Sequence, residues 1–122
     1  MQTHSIVDPS SGVTFAFEVD NIYISAREAA QVLRGIPGVS NVRSRRPFSG
    51  ASELRVAFDY LGKQCAVVEP FGDNSRFWIG PIDPAQTKFD VIVLRDAFTA
   101  YKPRGIKRIL GDLWTLRYFR RR

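Results

Sequence analysis

The stretch from Leu54 to Val67 constrains the fold more than any other part of the chain. Leu54, Val56 and Phe58 alternate with Arg55, Ala57 and Asp59, and the alternation resumes after Leu61-Gly62. Apolar residues at a period of two mark a half-buried strand. A two-residue connection containing glycine is the geometry of a tight hairpin. With Leu61-Gly62 as the turn, Tyr60 stands opposite Lys63, Phe58 opposite Cys65 and Val56 opposite Val67. That register gathers the apolar residues of both strands on one face, whereas a slip of one residue would turn one set outwards. An antiparallel sheet with one face committed to a core follows.

A third strand extends this meander. After a loop around Phe71–Ser75, Arg76–Gly80 pairs with the preceding strand if Val67 meets Ile79. Phe77 and Ile79 then join the core face. Trp78 falls on the other face beside Val68, with Arg55 next in the same row.

Upstream, Val13, Phe15 and Phe17 alternate with Thr14, Ala16 and Glu18, which predicts a strand from Val13 to Glu18. Residues 1–11 read as a loose lead-in, rich in Ser and Asp. Ser25 and Glu28 form an S-x-x-E capping box. Ala29, Val32, Leu33 and Ile36 follow at helical spacing, and Gly35, Pro37 and Gly38 end the helix. A short strand from Val39 to Arg43 comes next. A strand, a helix and then Gly38-Val39-x-x-Val42 resembles the opening of ferredoxin-like domains. The resemblance implies that fold for the N-terminal half, without the paired-cysteine loop of its metal-carrying versions. Arg43–Ser52 is a loop carrying Arg43, Arg45 and Arg46.

Asp83-Pro84 is a helix start, an Asp N-cap with proline in the first turn. It predicts a helix to about Tyr101 with Val91, Leu94, Phe98 and Tyr101 along one stripe. Val91-Ile92-Val93 is β-branched and makes a strand the competing reading. A last helical pattern begins near Ile106. Ile106, Ile109, Leu110, Leu113 and Trp114 share one face, and Lys107, Arg108 and Asp112 point away from it. The expected fold is therefore α+β: a mixed or antiparallel sheet of four or five strands with two or three helices. Its divisions are a lead-in over 1–11, a single domain over 12–101 and a basic amphipathic segment over 102–122.

Bulk properties narrow the function. At 122 residues the chain is one domain, large enough to hide roughly two-thirds of its unfolded surface. Cys65 is its one cysteine, so no internal disulfide forms and an oxidising compartment is not implied. The N-terminal residues lack a basic stretch followed by an apolar run, and no segment reaches the roughly 18 apolar residues of a membrane span. A cytoplasmic protein without integral membrane association is expected.

Charge is divided unevenly along the chain. Residues 1–101 hold ten Lys/Arg and eleven Asp/Glu, net −1. Residues 102–122 hold eight basic residues and Asp112, net +7. Such asymmetry suits an anionic partner. Arginine contacts phosphate through two parallel hydrogen bonds and stacks on bases. Lys107, Arg108, Arg117, Arg120, Arg121 and Arg122 are the candidate anion-binding residues, interleaved with Trp114, Tyr118 and Phe119. Aromatic rings among cations suit single-stranded nucleic acid. A basic amphipathic helix can also lie in a membrane interface, but an apolar face of five residues is short for that role.

The back face of the sheet offers a second candidate. Trp78, Arg55 and Arg76 would lie together there, with Ala57 and Ala66 alongside, as a stacking platform that Trp114 could join. The alternative is that the C-terminal helix covers Trp78. Nothing else points to chemistry. A metal site draws on clustered His, Cys and carboxylates, and the chain has only His4 and Cys65 of the first two. A nucleophile needs a base within reach, and Cys65 reads as a small buried hydrophobe. Asp59, Glu69, Asp73 and Asp83 read as solvated surface acids. No cofactor is implied. The function expected is a small non-enzymatic binding module that engages nucleic acid through its basic segment. The alternative is a protein-interaction module that meets an acidic protein through the same tail or an exposed strand edge.

Overall fold

The computed structural model describes residues 1–20, 24–44, 54–69, 76–85 and 88–102. Along them run β1 (Thr3–Val7), β2 (Thr14–Asp20), α1 (Ala26–Arg34), β3 (Val39–Ser44), β4 (Leu54–Tyr60), β5 (Lys63–Val68), β6 (Arg76–Pro81) and α2 (Ile92–Ala100). The strands form a six-stranded sheet in the order β1-β2-β6-β5-β4-β3, and every neighbouring pair is antiparallel.

The β4–β5 hairpin has the register its alternation dictates, with Tyr60 opposite Lys63, Phe58 opposite Cys65 and Val56 opposite Val67. Leu61 and Gly62 both take positive φ, 52° and 79°. Two left-handed residues give the turn a twist that matches the strands it joins. Val67 meets Ile79, and Val68 meets Trp78. The Ser25/Glu28 box caps α1: Glu28 N donates to Ser25 Oγ at 3.1 Å, and Ser25 N donates to Glu28 Oε1 at 3.2 Å.

Both helices cover one face. Leu33, Ala29 and Ala30 of α1 and Leu94 and Phe98 of α2 pack with Phe17, Val19, Phe58, Val67, Phe77 and Ile79 in one buried cluster. The rings of Phe17 and Phe98 meet at 5.5 Å between centroids. Tyr101 Oη donates to Glu28 Oε2 at 2.6 Å, joining the end of α2 to the start of α1.

Four expectations are corrected. The sheet has six strands rather than four or five, because the supposed lead-in contains β1. Its composition is polar, but β2 pairs with it along its length and α2 holds it from above: Thr3 Oγ1 lies 2.9 Å from Thr99 Oγ1, and Arg95 Nη1 donates to Ser5 Oγ at 3.1 Å. The second helix begins at Ile92, not Asp83. Phe89 is drawn onto Tyr60 and under the Lys63 ammonium, and Val91 N donates to Thr14 O at 3.0 Å. These contacts hold the preceding backbone out of the helix, and Asp90 Oδ1 accepts from Ile92 N at 2.7 Å instead. The N-terminal half is not ferredoxin-like. In a split βαβ unit one strand separates the two that the helix joins, whereas β6, β5 and β4 all lie between β2 and β3. Finally, Leu54 rather than Arg55 stands opposite Val68, because a bulge interrupts the pairing between Leu54 and Val56. The predicted C-terminal helix lies outside the described residues.

Candidate functional site

The sheet face opposite the two described helices is built from residues that alternate with the core. Cross-strand partners share a face, so the pairings define its rows. One row runs His4, Glu18, Trp78, Val68 and Leu54. The next contains Gly80, Ala66, Ala57 and Arg43, with Ala16 beside Gly80. Asp20 and Arg76 are paired at the edge of the face.

Trp78 is half-buried, and Gly80 makes room for its ring. A Cβ at Gly80 would stand 2.9 Å from Trp78 Cη2, 2.8 Å from Ala16 Cβ and 3.1 Å from the carbonyl oxygen of Phe15. The indole therefore lies along the sheet over the glycine. Gly80→Ala is expected to cost about 1–3 kcal/mol as overpacking, because two of the three obstacles belong to a neighbouring strand. The urea midpoint measures it.

Arg76 does not present a bare charge. Its Nε donates to Asp20 Oδ1 at 3.2 Å and its Nη1 to Glu18 Oε1 at 3.4 Å. His4 Nε2 lies 3.7 Å from the same Asp20 oxygen, beyond hydrogen-bond range. Arg55 is the additional residue of the β4 bulge, and its Nε is buried without a hydrogen-bond partner. The structure thus places Trp78 and Arg76 on β6 and Arg55 on β4, with β5 between them, and matches Arg76 to carboxylates that the sequence reading left out. Only the β2–β6 pairing reveals Glu18 and Asp20 as its partners. Lys107, Arg108, Arg117, Arg120, Arg121, Arg122 and Trp114 lie outside the described residues.

Cys65 is fully buried. Burial, with the Asp59 charge adding to it, pushes its thiol up to about 12 from an ordinary 9.0. The neutral thiol is thus favoured by the fold. Its contribution to stability is fully present below pH 9 and is lost as the pH rises towards 12. Iodoacetamide should leave native Cys65 unmodified at pH 8 and label it readily in urea, because the thiolate is the reactive form. Mass spectrometry of the intact chain distinguishes the two.

Among the described residues, no three His, Cys or carboxylate groups cluster in a way that could hold a metal ion. An open, mainly apolar groove of about 440 Å³ separates α1 from α2, lined by Val32, Ile36, Ala97 and Tyr101 among others. Neither described helix is long and apolar enough to cross a membrane. No family model matches the chain, and neither the curated proteins nor the solved structures contain a match to it.

Proposed function

We propose that the protein is a small non-enzymatic binding module whose basic C-terminal segment engages nucleic-acid phosphates with little sequence preference. The observation that carries this reading is the charge division, net +7 over residues 102–122 against net −1 over the rest. The ion pairs of the body support it. Arg76 is held by Glu18 and Asp20, Lys88 lies 3.7 Å from Asp8, and Arg95 lies 3.0 Å from Asp96. These pairs accompany the net −1 of residues 1–101, which leaves the excess positive charge of the chain in residues 102–122. Lys107, Arg108, Arg117, Arg120, Arg121 and Arg122 supply the contacts in this reading.

Binding of the full chain to labelled single- and double-stranded oligonucleotides at 50 and 200 mM salt tests it. Phosphate contacts release counterions, and affinity falls with a log–log slope of about −0.9 per contact on duplex. Tight binding at low salt that weakens steeply supports the reading, and no binding at low salt ends it.

The second reading is contact with an acidic protein. Its specific observation is that β1 and β3 are the two outer strands of the sheet among the described residues. Each has a break in register, between Ile6 and Val7 and between Ser40 and Arg43. Bulges blunt an edge against strand addition, which favours the tail over the edges as the contact surface.

A further inference from the structure

The two helices present rows of side chains that differ in kind. Arg27, Gln31 and Arg34 stand at i, i+4 and i+7 of α1 and so share one side of it. All three are exposed. Val93, Ala97 and Ala100 have the same spacing on α2, and Val93, a large apolar residue, is 53% exposed. The groove of about 440 Å³ takes its lining from both rows: Gln31 from the first, Ala97 and Ala100 from the second. Val32 and Ile36, which pack with the core, complete its apolar lining.

The rim is basic. Among the described residues, Arg27, Arg34 and the exposed Lys102 enter no ion pair. The carboxylates on the same two helices are engaged. Glu28 accepts from Ser25 N and from Tyr101 Oη, and Asp96 lies 3.0 Å from Arg95.

We propose that this groove docks an acidic amphipathic helix of a partner protein. The apolar row of α2 with Val32 and Ile36 receives the apolar stripe of such a helix, and the basic row of α1 meets its acids. Arg27 and Arg34 are about 10 Å apart along α1, the separation of carboxylates at i and i+7 of a helix laid beside it. Other occupants fit less well. The volume lies in the range of about 300–1,000 Å³ for small-molecule pockets, but such pockets enclose most of their ligand, and this groove is open. A second copy of the chain would bring the basic row against itself across a two-fold axis. Residues 103–122 hold seven Lys/Arg and one acid and so repeat the sign of the rim. Single-stranded nucleic acid stacks its bases on aromatic rings, and the lining is aliphatic but for Tyr101. The docking uses none of residues 103–122 and does not depend on the nucleic-acid reading.

Fluorescence anisotropy of labelled peptides with the full chain tests it. The probe is a helical peptide of about 15 residues with leucines along one stripe and glutamates at i and i+7 beside it. In a second probe lysines replace the glutamates, and in a third alanines replace the leucines. At 50 mM salt the chain should bind the first probe alone. The variant Arg27→Glu/Arg34→Glu should lose about tenfold or more in affinity for the glutamate probe and gain the lysine probe. Both side chains are exposed and lie outside the core cluster. Failure of the wild type to bind the glutamate probe would overturn the proposal. So would binding that the reversed variant keeps unchanged, or binding lost when Lys107, Arg108, Arg117, Arg120, Arg121 and Arg122 are replaced by Gln. If the chain sediments as a dimer that Val93→Asp/Ala100→Asp disperses, the occupant is a second copy and the proposal fails. If the reversed variant does not fold, discrimination among the three probes by the wild type decides.

Discussion

Phe17→Ala is expected to lower the unfolding free energy by about 3–5 kcal/mol. Phe17 is fully buried on β2, where it pairs with Ile79 and meets the ring of Phe98 at 5.5 Å and an interplanar angle of 57°. Truncation removes apolar surface, an aromatic pair worth about 0.5–1.5 kcal/mol beyond its area, and the contact that fastens α2 to the sheet. The cavity cannot close readily, because β2 is paired on both sides. Domains of this kind are stable by about 5–15 kcal/mol, so the loss is a large share. Urea unfolding should show a lower midpoint with an unchanged slope. A shift below about 1 kcal/mol would mean that Phe17 does not hold the two layers together.

Replacing Lys107, Arg108, Arg117, Arg120, Arg121 and Arg122 together by Gln is expected to abolish nucleic-acid binding. If each side chain contacts one phosphate, the wild-type slope on duplex is about −5, and affinity falls on the order of 10³-fold between 50 and 200 mM salt. The variant retains neither the affinity nor the slope. Gln keeps the helical propensity of Lys and Arg, and long charged side chains are almost never fully buried unless paired. The variant should therefore keep the wild-type urea midpoint, which separates lost contact from lost fold.

Local signals were legible in the sequence and non-local ones were not. The β4–β5–β6 meander and its register follow from alternation about Leu61-Gly62, since one face must be apolar throughout. The capping box placed α1. By contrast, β1 reads as Thr-His-Ser-Ile-Val, which lacks a strand signal of its own. It is held by β2 and by Thr99 and Arg95 of α2, residues about ninety positions away. The pairing of β2 with β6 likewise joins Phe17 to Ile79 across about half of the chain, and no local pattern announces it. That pairing carries the main consequences for the site. It sets Glu18 and Asp20 against Arg76, and Ala16 against Gly80. Ala57 and Ala66 are visible in the sequence as small neighbours of Trp78, but the row that continues through Gly80 to Ala16 is complete only when β2 joins the sheet.

The salt dependence of oligonucleotide binding, measured by fluorescence anisotropy for the full chain beside the six-Gln variant, tests the central claim most directly. The account predicts tight wild-type binding at low salt, a log–log slope of about −5 on duplex, and a variant with almost no slope. A wild type that fails to bind at 50 mM salt, or a variant that binds with the wild-type slope, would contradict it.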